Sequence, residues 1–310
     1  IPIARYLVPA LTTIRLPADE MARRAGVSLT LDDLDALGRN TPLLANVRPS
    51  GKDYLMEDFY FAGGLLALEQ QIADRLDTSA ITANGRTLGE NIAEAVVYND
   101  DVIRPLSNPV YHEGSLAVLR GNLCPDGAII KPAACDPKFH RHAGPALIAD
   151  SYAELKQIID DEDLEMSSDT VLVLRNAGPQ GGPGMPEWGM IPMPKALLKQ
   201  GHRDMLRLSD ARMSGTSFGA CVLHVAPEAY VGGPLALVRN GDRIRLSVEE
   251  KRLDLLVPDE ELERRRAGQT LSERDPMTLR GYDRLYAEQV LQADQGCDFR
   301  MLQALDKRTN

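Results

Sequence analysis

The chain has 310 residues, 44% of them hydrophobic and 26% charged, an ordinary globular composition with room for about two domains. A net charge of −10 argues against nucleic acid as an electrostatic partner. There is no run of 18 apolar residues, so no membrane-spanning helix is expected, and Ile1 to Leu16, broken by Arg5 and Arg15, lacks the ordered regions of a signal peptide.

The first part reads as helical. Thr30-Leu31-Asp32-Asp33 predicts a capped short helix, with the acids favoured in its first turn. Met56 to Leu76 has a helical pattern interrupted by Gly63-Gly64, and Thr87 to Ala95 is a further short helix candidate. From about Val97 the texture changes to short β-like runs: Leu116 to Leu119, then Ala128 to Ile130 after the turn residues Pro125-Asp126-Gly127. Ala146 to Ala149 leads into Ser151-Tyr152-Ala153-Glu154, a capping box opening a helix to about Asp160. Thr170 to Leu174 is strongly β-prone, Leu235–Val238 and Arg243–Val248 flank Asn240-Gly241-Asp242, and Arg252 to Val257 follows. So many short strands suggest an irregular sheet or barrel rather than repeated βαβ units. The end returns to helix over Glu260 to Ala267 and Gly281 to Gln292.

Cys124, Cys135, Cys221 and Cys297 are widely and irregularly spaced, with no C-x-x-C pair, so a zinc ribbon or thioredoxin-type site is unsupported. Reduced, mostly buried cysteines in a cytoplasmic protein are expected.

Two loops stand out. Gly215-Thr216-Ser217-Phe218-Gly219 fits the G-x-S-x-G pattern of a hydrolase nucleophile elbow, with Ser217 as nucleophile. That chemistry needs an acid and then a histidine downstream, yet His224 is the sole histidine after Ser217 and lies seven residues on. The plainer alternative is a glycine-rich tight turn whose hydroxyls bond their own backbone. The other loop, Gly178-Pro179-Gln180-Gly181-Gly182-Pro183-Gly184-Met185-Pro186-Glu187-Trp188, follows the strand ending at Leu174. It lacks the Gly-Lys-Ser/Thr of a phosphate loop, and Pro183 and Pro186 oppose a dinucleotide fingerprint. By itself it is a rigid loop presenting Glu187 and Trp188.

Taken together, Gly178 to Glu187 followed by Ser209-Asp210-Ala211-Arg212-Met213-Ser214-Gly215-Thr216-Ser217 resembles the dihydroxy-acid/phosphogluconate dehydratase family. Further stretches agree: Arg48-Pro49-Ser50-Gly51, Met56 to Gly64, Leu116 to Leu123 with Pro125-Asp126-Gly127, and His224-Val225-Ala226-Pro227-Glu228-Ala229 with Gly232-Gly233-Pro234. The ending, Arg280-Gly281-Tyr282 through Phe299, looks like the pentonate branch, such as arabinonate and xylonate dehydratases. The resemblance runs from about Gly26 onward; Ile1 to Glu20 does not match the expected segment. Family members are nearly twice this length, so the chain looks like a C-terminal half.

The resemblance implies an α/β (α+β) fold. Residues 1–96 would be the helical end of an N-terminal α/β domain, 97–275 a β-barrel-like C-terminal domain, and 276–310 helices packing back on the first. It also implies a hydro-lyase converting a sugar acid, such as L-arabinonate or D-xylonate, to a 2-keto-3-deoxy acid. Ser214 would be the alkoxide base and Thr216 would orient it or the substrate. Glu187 would be a magnesium ligand, since a carboxylate oxygen suits a hard cation. An iron–sulfur cluster, of the 2Fe–2S type, would be held by cysteines that this chain does not contain. A homo-oligomer, dimer or tetramer, is expected, with no membrane partner. The competing expectation is a non-catalytic fragment or assembly module, whose helical stretch ending near Ala95 exposes apolar surface to a partner.

Overall fold

The structure, a computed structural model, describes residues 22, 24, 26–183, 191–212, 217–269 and 279–303. Helix α1 (Leu31–Arg39) starts where Thr30 accepts a hydrogen bond from the Asp33 amide (3.1 Å) and Asp33 accepts one from the Thr30 amide (2.9 Å). This reciprocal cap satisfies two donors that a helix start leaves orphaned. Helices α2 (Met56–Phe61) and α3 (Gly64–Gln71) are separated at Gly63, which has φ 117°. A Cβ there would lie 2.4 Å from the Val96 carbonyl oxygen, so close backbone contact requires the glycine. Thr87 and Glu90 form the same reciprocal cap on α4 (Leu88–Ile92).

Eight strands follow: β1 (Ala117–Leu119), β2 (Gly127–Ile130), β3 (Arg141–Ala149), β4 (Val171–Leu174), β5 (Arg207–Ser209), β6 (Cys221–Ala226), β7 (Arg243–Ser247) and β8 (Arg252–Leu255). Their order in the sheet is β1-β2-β6-β5-β4-β3-β7-β8. Strands β3, β4, β5 and β6 are mutually parallel neighbours, and the remaining pairings are antiparallel. The two outer strands meet. The Arg120 amide donates to the Lys251 carbonyl and the Leu253 amide to the Arg120 carbonyl, each at 2.9 Å, so a parallel bridge at Arg120 and Arg252 closes the sheet into a barrel. Gly121 makes this seam possible, because a Cβ there would sit 1.9 Å from the Leu253 carbonyl oxygen.

The α/β fold with a barrel is what the sequence leads one to expect, with two differences. Strand β3 connects to β4 through α5 (Tyr152–Asp160), and β4 to β5 through α6 (Lys195–Lys199), so parallel βαβ connections do occur. Both faces of such a strand are covered, which is why all four residues of β4 are buried. The run Leu235–Val238 is not a strand: Pro234 opens a 3-10 turn over Pro234–Leu237. Proline fixes φ near the helical value and withholds the N–H that a ladder needs.

The barrel core includes Leu119, Ile130, Leu172, Leu174, Leu208, Val222, Leu246 and Leu253. The helical segment is fastened to it by buried Asp35 of α1, which accepts from Lys251 Nζ (2.8 and 2.9 Å) and from the Val118 amide (3.2 Å). After β8 come α7 (Asp259–Ala267) and α8 (Gly281–Gln289). Beyond α8, Asp298 binds Arg24 through both carboxylate oxygens (2.5 and 3.0 Å).

Candidate functional site

Parallel strands deliver the loops that follow them to one end of a sheet, where ligands commonly bind. Here β3, β4, β5 and β6 bring Asp150, the Gly178 loop, the Ser209-Asp210 loop and Glu228 to the same end of the barrel. The sequence-derived candidates Glu187, Ser214 and Thr216 lie outside the described residues.

The entrance to both loops is organised by Asp210. Its carboxylate accepts from three backbone amides: Ala177 at 2.9 Å, Asn176 at 3.1 Å and Ala229 at 2.9 Å. Asn176 bends the chain out of β4 with φ 63°, a left-handed conformation that asparagine tolerates. Asp210 is 0% exposed, and burial pushes its carboxyl up to about 6, with the three amides partly offsetting that rise.

Glu228, just after β6, performs a parallel task. It accepts from the amides of Gln180 and Gly181, both at 2.9 Å, and from Gln292 Nε2 at 2.8 Å; its own amide donates to Gln292 Oε1 at 2.9 Å. Burial raises its carboxyl as well. Gly178 is pressed against this carboxylate, since a Cβ there would come within 2.5 Å of Glu228 Oε2. The Tyr286 hydroxyl of α8 donates to the Pro179 carbonyl at 2.9 Å, so the C-terminal segment also braces this loop.

The connection from β5 to β6, residues 210–220, leaves one end of the barrel and re-enters at the other, because the two strands are parallel neighbours. Its far end is anchored by a buried ion pair. Arg207 Nη2 meets Asp204 Oδ1 at 2.9 Å and the Phe218 carbonyl at 3.0 Å, and Asp204 also accepts from the Ala220 amide at 2.9 Å. Beside this anchor opens a cavity of about 800 Å³, lined by Arg48, Lys52, Cys135, Asp136, Arg203 and Phe218 among others.

The hydrolase alternative does not survive. Ser217 is buried, its side chain hydrogen-bonds that of Cys221, and strand β6 follows at Cys221 where a nucleophile elbow needs a helix. His224 is also buried, at φ 55° in an irregular step of the β2–β6 pairing. An extra residue in one strand re-aims side chains in this way.

Among the described residues no three His, Cys, Asp or Glu side chains gather as a metal site. Burial pushes the Cys124 thiol up to about 12 and also raises those of Cys135 and Cys221, so in this chain they sit as protonated thiols in apolar surroundings. With no gathered donor set, the described residues do not fit an iron–sulfur cluster.

In the sequence Asp210 and Glu228 stand inside longer motifs that assign neither a role. The available signal was an acid beside each glycine-rich loop at the end of an apolar run, where an unpartnered carboxylate would be costly.

Residues 101–297 match the family model described as dihydroxy-acid/6-phosphogluconate dehydratase C-terminal, and residues 12–91 match the corresponding N-terminal model. The chain belongs to the dihydroxy-acid/6-phosphogluconate dehydratase family. It is 53% identical over 287 residues to a 6-deoxy-6-sulfo-D-gluconate dehydratase of Pseudomonas putida, covering 92% of this chain and 49% of that relative. It is 46% identical over 294 residues to an L-arabonate dehydratase of Azospirillum brasilense, with 91% and 49% coverage. A dihydroxy-acid dehydratase of Caldicellulosiruptor bescii is 40% identical over 288 residues, at 92% and 50%. The chain thus spans about half the length of these curated relatives. The N-terminal match begins at residue 12, inside the stretch Ile1–Glu20 that the sequence was expected to leave outside the family.

Proposed function

We propose that this chain forms the C-terminal part of a hydro-lyase that removes water from a sugar acid, giving a 2-keto-3-deoxy acid. The observation that carries the reading is the junction at Asp210. One carboxylate joins the starts of the two loops that bear Glu187 and Ser214. Relatives named for sulfogluconate and L-arabonate support an aldonate substrate, with L-arabinonate and D-xylonate as the pentonate choices. The cavity beside Phe218 carries Arg48, Lys52 and Arg203 against Asp136 and Asp204, and its cations could meet an anionic acid.

In this reading Ser214 takes the proton from C2 and the C3 hydroxyl departs, after which the enol tautomerises to the keto acid. A base must lie within hydrogen-bond reach of the proton it removes, and Thr216 is the hydroxyl that orients Ser214 or the substrate. Glu187 is proposed as a ligand for magnesium, which supplies charge stabilisation when bound. A 2Fe–2S cluster would have to be held outside the described residues. The assembled enzyme is proposed to be a cytoplasmic homo-oligomer. In the native protein that carries this chain, Ser214→Ala is expected to abolish keto-acid formation while metal content and fold persist. Near-normal turnover in that variant would remove Ser214 from the role.

A second reading, a non-catalytic assembly module, is favoured by Met56, Tyr60, Phe61, Leu65 and Tyr98, all exposed on or beside α2 and α3. Scattered apolar side chains are normal on a surface, whereas a cluster of large ones marks a partner site. A monomer by light scattering that binds no hydrophobic dye would count against this reading.

A further inference from the structure

We infer that Asp210 and Glu228 are positioning residues that set the two candidate loops in register, Asp210 acting on both and Glu228 on the Gly178 loop alone. The inference rests on the reading of Ser214 and Glu187 as site residues. Ser214 follows Asp210 by four positions and Glu187 follows Gly181 by six.

The argument is one of hydrogen-bond direction. Asn176, Ala177, Gln180, Gly181 and Ala229 all aim backbone N–H groups inward, and their acceptors are these two carboxylates. A backbone carbonyl offers a single neutral oxygen with two lone pairs, and a hydroxyl is likewise one neutral oxygen. An ionised carboxylate takes several donors at once in short, strong bonds. Asp210 Oδ2 is shared by Asn176 and Ala229, and Oδ1 serves Ala177. The same group thereby joins the exit of β4, the exit of β5 and the turn after β6. Glu228 is offset along the glycine loop and is itself held by Gln292, so the segment after α8 enters the same network. Ordinary structural acids at a surface bind one partner and keep water on the other side. These two are buried, and four of the amides they receive, those of Asn176, Ala177, Gln180 and Gly181, lie in the segment that leads to Glu187, while Asp210 itself opens the segment that leads to Ser214. Neither needs to touch substrate.

The isosteric variants Asp210→Asn and Glu228→Gln separate the roles. Each replaces one accepting oxygen by an NH2 group that faces an amide donor. Hydrogen exchange, followed by mass spectrometry on the native protein, reads the loops without reference to turnover. Asp210→Asn should speed exchange at least tenfold in peptides covering both 176–181 and 229. Glu228→Gln should do so for 180–181 and leave Ala177 and Ala229 protected. In the activity assay, Glu228→Gln should raise the magnesium concentration required while kcat recovers at saturating metal, because only the loop of Glu187 is loosened. Asp210→Asn should lower kcat at least tenfold even at saturating magnesium and leave substrate KM within about threefold. Unchanged exchange in both variants would overturn the inference. So would identical exchange and identical magnesium dependence, which a general structural role predicts. If Ser214→Ala retains turnover, the proposed chemistry fails, and the exchange pattern still decides whether these acids register the loops.

Discussion

The anchor at the far end of the β5–β6 connection gives a prediction with a worked magnitude. Asp204 and Arg207 are 4% and 3% exposed, and they pair at 2.9 Å. Arg207 also donates to the carbonyls of Ile191, Met205 and Phe218, so its side chain cannot swing out to water without breaking four contacts. Asp204→Ala would leave a buried guanidinium without its counter-ion, a change that costs roughly 3–5 kcal/mol. It would also strip acceptors from the amides of Met205 and Ala220, each worth about 1–3 kcal/mol when left buried and unsatisfied. These terms overlap, so a total of about 4–6 kcal/mol is expected. Replacing both partners, as in Asp204→Ala with Arg207→Met, removes the stranded charge and should recover about half of that loss. Urea unfolding followed by circular dichroism measures each midpoint, and the double-mutant cycle isolates the coupling. A loss below about 1 kcal/mol for Asp204→Ala is the behaviour of a solvated surface pair, and it would refute the claim that this pair anchors the loop.

Gly219→Ala should produce a loss of similar size, since its Cβ would sit 2.2 Å from Arg207 Nη2 at a residue with φ 87°; the same unfolding assay reads it. Gly144→Ala should disrupt β3, because the new Cβ would lie 1.6 Å from the Asp169 backbone oxygen, which cannot yield as a flexible side chain does; a soluble variant with an unchanged unfolding midpoint would contradict this. The carboxyl of Asp210 is raised from 3.8 to about 6, so its contribution to stability is full below pH 3.8 and is lost as pH rises through 6. The difference in unfolding free energy between wild type and Asp210→Asn should therefore move against wild type by about 3 kcal/mol from pH 4 to pH 7; a flat or opposite slope rejects the assignment.

Much of the helical layout is legible in the sequence because caps are local chemistry. Thr30, Thr87 and Ser151 each mark a helix start, and the helix after Ser151 ends at Asp160 as expected. The break at Gly63 also agrees, with its cause in tertiary contact with Val96. Strands were legible where β-branched residues run together, as at Val171–Leu174. Strand β5, Arg207–Ser209, and the first half of β3, with Gly144 and Pro145, carry no such run. They become strands because β4 and β6 flank β5 and because β7 pairs with Arg141 to Pro145 along its whole length. The site is divided in the same way. The loop motifs stand out as strings, but the carboxylates that gather them, Asp210 and Glu228, act across sequence separations of 34 and 48 residues. No spacing rule reaches that far.

The seam at Arg120 bears on the order in which the barrel assembles. Asn122 and Asp254, which bond beside it, are 132 residues apart in the chain. Each doubling of a loop adds only about 0.6 kcal/mol to the entropy of closing it, yet two hydrogen bonds at one residue return little against the whole cost. The parallel core from β3 to β6 and the β7–β8 hairpin can form before these ends meet. Arg120 and Leu253 are therefore expected to gain protection late in refolding, after Leu172 and Val222, in a pulse-labelling exchange experiment. Before closure β1 and β8 are two free edges, the form in which this sheet is open to pairing with another chain. Aggregation during refolding should then track the lifetime of the open seam, and simultaneous protection of all four amides would rule that sequence of events out.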